Sequence, residues 1–141
     1  MTDSELVRLA DAARSNSYAP YSGFSVGAAL LCADGTVLSG CNVENASYSV
    51  TCCAERSALF AAVSTGKRQF TALAVVGGRQ GQAPDSFFTP CGVCRQALAE
   101  FCAPDFPILV WDGTETQRYT LGDLLSCGFS ADAMKSGENR T

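Results

Sequence analysis

The sequence predicts an α/β layered domain built on a mixed five-stranded sheet. Helical segments and short apolar runs follow one another in the order helix, strand, strand, helix, strand, helix, strand, strand. The first two strands are joined through Asp34-Gly35, a tight hairpin signal. The middle strands are separated by crossover helices, so they run parallel.

Taken in order, Thr2 and Glu5 have the spacing of a capping box. A helix over residues 3 to 15 follows, with Leu6, Leu9 and Ala13 at helical spacing. Ser17 to Gly23 is turn-rich. Phe24 to Cys32 is an apolar strand, and Val37 to Cys41 returns from the hairpin. Asn42 to Thr51 is polar and irregular. A second helix runs from about Cys52 to Thr65 and stops at Gly66. Its Ala54, Ala58, Ala61 and Ala62 are small enough for close packing on a sheet. Phe70 to Val76 reads as a buried strand ending at Gly77-Gly78, and Arg79 to Phe88 as a loop. Thr89-Pro90 reads as N-cap and first residue of a third helix, which runs to about Cys102. Pro107 to Trp111 is a fourth strand, followed by a turn at Asp112-Gly113. Arg118 to Leu121 makes a fifth strand, and Asp123 to Ser126 a short last helix. A polar tail from about Met134 should fray. One domain spans residues 1–141, with no linker or repeat.

With 47% hydrophobic and 17% charged residues, the composition is that of a globular chain. The net charge of −4 argues against a polynucleotide partner, because an acidic chain repels a phosphate backbone. No run approaches the roughly 18 apolar residues of a membrane span. Met1 to Glu5 lacks the basic and apolar regions of an export signal. The expected location is therefore the cytoplasm, where thiols stay reduced. In that setting eight cysteines read as core packing plus a metal site, not disulfides. The absence of histidine excludes a Ser-His-Asp triad, a Cys-His pair and an HExxH zinc site. A zinc site here must be built from thiolates, with or without a carboxylate.

Two segments carry such chemistry: Cys53-Ala54-Glu55 and Pro90-Cys91-Gly92-Val93-Cys94. Each begins a predicted helix, and a helix N-terminus favours the thiolate that zinc requires. Spacing of i, i+3 puts Cys91 and Cys94 on one helical face, and Cys53 adds a third sulfur. Three ligands leave a fourth tetrahedral position for water, which is the arrangement of catalytic zinc. Glu55 lies two residues after Cys53 and can exchange protons with that water without ligating the metal. Arg56 can draw negative charge off the thiolates. Other readings stand beside this one. The Cys-x-x-Cys could be a redox pair, although it sits late in the chain for that. A closed structural zinc site could recruit Cys52 or Cys102 as a fourth ligand. Cys32, Cys41, Cys102 and Cys127 otherwise read as small core residues, as Cys52 does by packing.

At these residues the chain resembles the small homotetrameric zinc-dependent cytidine deaminases, from about Leu6 to Phe129. The run from Tyr18 to Leu30, the segment Gly40 to Tyr48, Cys53-Ala54-Glu55-Arg56 and Pro90 to Gln96 carry the resemblance. It implies a three-layer α/β/α domain, one zinc per chain on Cys53, Cys91 and Cys94, and Glu55 as the proton carrier. It further implies that Asn42 and Glu44 bind the ribose hydroxyls and that Phe24 packs against the base, where the residue alone reads equally as an ordinary core aromatic. The Ala54 N–H and Glu55 would read the base edge. Tyr48 and Phe129 would enter a neighbouring chain's site, so the complete enzyme would be a homo-oligomer, most simply a tetramer with shared sites. The 47% hydrophobic content gives independent support for buried contacts between chains. The implied reaction releases ammonia from cytidine or deoxycytidine and leaves uridine or deoxyuridine.

The chain departs from the family pattern at Ser49, where the family often has Pro after the tyrosine. It also reads Leu124-Leu125-Ser126-Cys127-Gly128-Phe129 where a Leu-Leu-Pro-x-x-Phe pattern is usual. Rival functions are a deaminase for another cytosine nucleoside, such as a blasticidin-type antibiotic, and a noncatalytic zinc-stabilised interaction module. Asn42 and Glu44 favour a ribose-bearing substrate over the first. Glu55 argues against the second, because a structural site has no use for it. Polynucleotide deaminases usually take a His as first ligand, and this chain has none.

Overall fold

In the computed structural model, which describes residues 1–132 and 134, the five strands lie in the order β2-β1-β3-β4-β5. They are β1 (Phe24–Cys32), β2 (Val37–Cys41), β3 (Phe70–Arg79), β4 (Pro107–Trp111) and β5 (Thr116–Thr120). The helices are α1 (Asp3–Ala13), α2 (Ala54–Ser64), α3 (Gly92–Ala99) and α4 (Leu121–Leu124). β3 and β4 are parallel, as their crossover requires, and the other neighbours are antiparallel. The tail expected beyond Met134 lies outside the described residues.

Side chains alternate between the two faces of the sheet, the period of two that a pleated strand imposes. Leu30, Leu73, Val75, Ile108 and Val110 face α2 and α3. Ala29, Ala72, Ala74, Val76 and Leu109 face α1. The result is three layers, α/β/α. The α1 stripe is Leu6, Val7 and Ala10, while Leu9 is exposed, so the helix is rotated from the face that Leu6, Leu9 and Ala13 would present. On α2, Ala54, Ala58 and Ala62 are fully buried at i, i+4 spacing, and Ala61 faces outward.

Close backbone approach decides where the site can form. A Cβ on Gly40 would lie 2.4 Å from the Ala58 nitrogen and 2.5 Å from the Ala54 carbonyl oxygen. The bare glycine in β2 lets the first turns of α2 rest directly on the strand. Gly77 and Gly78 do not end β3 as the sequence predicted. They pair with Val26 and Ser25 inside the strand. A Cβ on Gly77 would stand 2.7 Å from the Phe88 ring, so the glycine makes room for that side chain.

Other boundaries shift by two or three residues. The third helix begins at Gly92 with Cys91 in extended conformation before it, so Thr89 is not its N-cap. The Thr89 hydroxyl and the Pro90 carbonyl instead accept from the Arg95 guanidinium, at 3.2 and 2.6 Å. The same guanidinium donates to the Leu124 carbonyl at 2.6 Å and ties α4 to the loop before α3. The last helix starts at Leu121 because Thr120 and Asp123 form a capping box. That ends β5 at Thr120. Cys127 is exposed with φ 55°, a turn residue and not a core one.

Candidate active site

Three chain segments meet at one end of the sheet. α2 and α3 each begin with a cysteine in extended backbone, Cys53 and Cys91. Cys94 lies in the first turn of α3 and is fully buried. The three sulfurs lie within 4.8 Å of one another, with Cys53 and Cys91 3.7 Å apart. A tetrahedral zinc with Zn–S bonds of about 2.3 Å has S···S edges of about 3.8 Å, so this donor set fits the metal. Among the described residues no fourth metal ligand joins the group. Cys52 turns away, receiving the Ser57 hydroxyl at 3.6 Å and facing its neighbour's carbonyl. A redox disulfide does not describe three converging thiols, and all eight cysteines are free.

The electrostatics favour a thiolate at Cys53, while the adjacent Cys53 sulfur and burial push the Cys94 thiol up. The Cys94 thiol and the Arg56 guanidinium hold the Cys53 thiol well below the ordinary range. Arg56 Nη2 lies 3.6 Å from the Cys53 sulfur and donates to the Thr51 carbonyl at 3.2 Å. Both helix starts add positive potential. Glu55, in the first turn of α2, is 4% exposed. Burial, with the neighbouring Cys53 charge, pushes its carboxyl up to about 7.

A cleft of 240 Å³ opens above these residues. Cys53, Ala54, Glu55 and Cys91 line one end, and Phe24, Asn42 and Glu44 also contribute to its wall. The segment 42–44 is strapped on both sides. Val43 exchanges backbone hydrogen bonds with Cys52, while Tyr18 bonds to Asn42 and Glu44. The strap joins the polar wall to the metal end through one residue, Cys52.

β2 stops pairing with β1 at Gly27, and the Asn42 side chain continues the ladder. Its Oδ1 accepts from the Val26 N–H and its Nδ2 donates to the Phe24 carbonyl, both at 2.9 Å. Glu44 accepts from the backbone N–H groups of Tyr21 and Ser22 and from the Ser22 hydroxyl. Those three donors lower its pKa, the hydroxyl most. Asn42 and Glu44 are 8% and 9% exposed, so each keeps only limited hydrogen-bonding capacity for a ligand.

Phe24 faces Phe88 at 6.0 Å between ring centroids, with the Arg79 guanidinium 5.2 Å from its ring centre. Phe88, Ser22, Thr51 and Thr89 line the cleft and were not singled out from the sequence. Phe88 and Thr89 lie just before Pro90-Cys91, and that adjacency was the available signal. Tyr48 is 75% exposed, does not line that cleft, and packs edge-on against Tyr21 in a second cavity that shares Ser22, Glu44 and Thr51 with it. Phe129 is 64% exposed and does not line that cleft. Its carbonyl accepts from Gln96 at 2.8 Å.

Residues 1–110 match the family model described as the cytidine and deoxycytidylate deaminase zinc-binding region. The chain is 46% identical over 129 residues to a cytidine deaminase of Sporosarcina psychrophila, covering 91% of each chain. It superposes on the crystal structure of a cytidine deaminase from Burkholderia pseudomallei with a TM-score of 0.83 at 45% identity, covering 92% of this chain and all of that one. A blasticidin-S deaminase of Bacillus cereus is a more distant relative, 30% identical over 103 residues, covering 71% of this chain and 73% of that one.

Proposed function

The chain belongs to the cytidine and deoxycytidylate deaminase zinc-binding family, and on that premise we propose that its cleft holds cytidine with the pyrimidine toward Glu55 and the ribose toward Asn42 and Glu44. The enzyme is a hydrolytic deaminase. Water replaces the amino group at C4 of the ring, giving uridine and ammonia. The single observation that carries the reading is the shared cleft. Cys53, Cys91 and the buried Glu55 line the same cavity as a polar wall suited to a sugar, and the buried Cys94 sulfur lies within 4.8 Å of the other two.

Cys53, Cys91 and Cys94 would hold zinc, which would supply Lewis acidity able to activate water at neutral pH. Glu55 takes a proton from the attacking water as its oxygen bonds to C4, and delivers a proton to ring N3. The carboxylate next takes the proton of the new C4 hydroxyl and passes it to the amino nitrogen. The C–N bond breaks, ammonia leaves, and Glu55 ends as it began. Its burial supports this role, because a carboxyl pushed up to about 7 is poised to take and give protons near neutrality. The Ala54 N–H reads the base edge beside Glu55, and Phe24 packs against the ring. Arg56 remains charged beside Cys53 and moderates the thiolate charge.

The working enzyme is a homotetramer in which Tyr48 and Phe129 of one chain complete a neighbour's cleft. Exposed Tyr18, Tyr21, Val43, Tyr48 and Val50 favour a covered face, since large apolar groups concentrated there lower their free energy by contact. The domain acts as one unit in the cytoplasm. Among the described residues no helix is long and apolar enough to cross a membrane. An antibiotic deaminase is the weaker reading, since the blasticidin-S relative is 30% identical against 46% for the cytidine deaminase. Incubating the zinc-loaded protein with cytidine and with deoxycytidine tests the function by the fall in ultraviolet absorbance and by released ammonia. Absence of ammonia with both would overturn it.

A further inference from the structure

We infer that Ser22 is a positioning residue for sugar recognition, its hydroxyl holding the Glu44 carboxylate so that one acceptor position remains for the ligand. The inference rests on the proposed ribose role of Glu44. Oε1 of Glu44 accepts the N–H groups of Tyr21 and Ser22, each at 3.0 Å, which uses both of its lone pairs. Held at that oxygen alone, the carboxylate could pivot. The Ser22 hydroxyl donates to Oε2 and stops the pivot. Oε2 keeps one lone pair, and Ser22 and Glu44 both line the main cleft and the second cavity beside Tyr48.

The direction of the hydroxyl bond is determined by its other partner. Ser22 Oγ accepts from the Phe24 N–H at 3.0 Å, so the single hydroxyl proton is free for Glu44. Ser22 thus links the turn before β1 to the polar wall of the cleft. The competing role is that Ser22 merely shapes this turn and carries Phe24 with it. Such a role would act on the base end and the sugar end alike, whereas positioning of Glu44 acts on the sugar alone.

The test compares zinc-loaded parent, Ser22→Ala, Ser22→Thr, Glu44→Ala and the double variant Ser22→Ala/Glu44→Ala in steady-state kinetics on cytidine and on free cytosine. Ser22→Ala should raise KM for cytidine about tenfold, the scale of a lost hydrogen bond to a charged group, and lower kcat by less than about twofold. Turnover of cytosine should change little, and Ser22→Thr should restore KM. In the Glu44→Ala background the serine substitution should add less than about twofold, because the carboxylate it acts through is gone. Equal losses on cytosine and cytidine, or full additivity in the double variant, would overturn the inference. If Glu44→Ala raises KM for cytidine while Ser22→Ala does not, the Ser22 role alone falls. If Glu44→Ala leaves that KM unchanged, the ribose reading falls and takes this inference with it.

Discussion

The sulfurs of Cys53 and Cys91 stand 3.7 Å apart although 38 residues separate them in the chain. Each precedes the first turn of a helix, so two helix starts converge on one point. Two thiolates at that distance repel unless a cation offsets their charge.

Cys91→Ala should therefore lose zinc and activity together, read by metal analysis and by ammonia release. The parent should carry one zinc per chain. Full zinc occupancy in the variant would rule out this ligand assignment.

Glu55→Gln should keep zinc and the fold. The amide preserves the shape of the side chain and cannot shuttle a proton. Turnover should fall by roughly 10²–10⁴-fold, the usual contribution of general acid–base catalysis. A variant within a few-fold of the parent would mean that another group moves the proton.

Asn42→Ala and Glu44→Ala should weaken cytidine use with zinc intact, while free cytosine should respond much less. Asn42→Ala should also lower stability, because the Val26 N–H and the Phe24 carbonyl lose their partner. A buried group left unpaired costs about 1–3 kcal/mol. Glu44 adds a pH signature. Its folded pKa lies below the ordinary 4.5, chiefly because the Ser22 hydroxyl donates to it. Its stabilisation is thus fully present well above pH 4.5 and is lost as pH falls through the lower folded value. Urea midpoints of the parent and Glu44→Gln should differ at pH 7 and converge toward acid. A gap that stays constant down to pH 3 would contradict this linkage.

Mixing Glu55→Gln chains with Tyr48→Ala chains tests the shared site. Each pure variant must be folded, zinc-loaded and nearly inactive. If Tyr48 completes a neighbour's cleft, random reassembly in equal proportions should restore roughly a quarter of the sites of a closed symmetric assembly. Tyr48 also lines a cavity that shares Ser22, Glu44 and Thr51 with its own chain's cleft, so service within one chain is the competing arrangement. Mixed activity no greater than the average of the two pure variants would support that arrangement and reject sharing.

The clearest sequence signals were the short-range ones. The Thr2–Glu5 capping box forms as its spacing requires, and the hairpin closes at Asp34-Gly35 between β1 and β2. α2 starts just after Cys53 and stops before Gly66. Signals that depend on a distant partner misled. Gly77-Gly78 looked like a strand end, since glycine weakens a strand considered alone, but pairing with β1 keeps both in register. Thr89-Pro90 looked like a helix start, but both residues bond to an Arg95 side chain that also reaches the Leu124 carbonyl, 29 positions on.

By itself the sequence determined the chemistry available to this protein. With no histidine, a zinc site had to be built from thiolates, with or without a carboxylate, and Glu55 beside Cys53 supplied a proton-carrying carboxyl. It also determined the order of the helices and strands, though not every boundary, because caps and apolar periodicities act over a few residues. Only the tertiary structure decided that β1 lies between β2 and β3, that three sulfurs from two helix starts converge, and that Glu44 accepts three donors from the turn before β1. The β1–β3 pairs, the sulfur pairs of Cys53 with Cys91 and Cys94, and the Glu44 hydrogen bonds join residues 22 to 55 positions apart in the chain. No local preference encodes them, and they arise when burial of both faces of the sheet brings distant segments together.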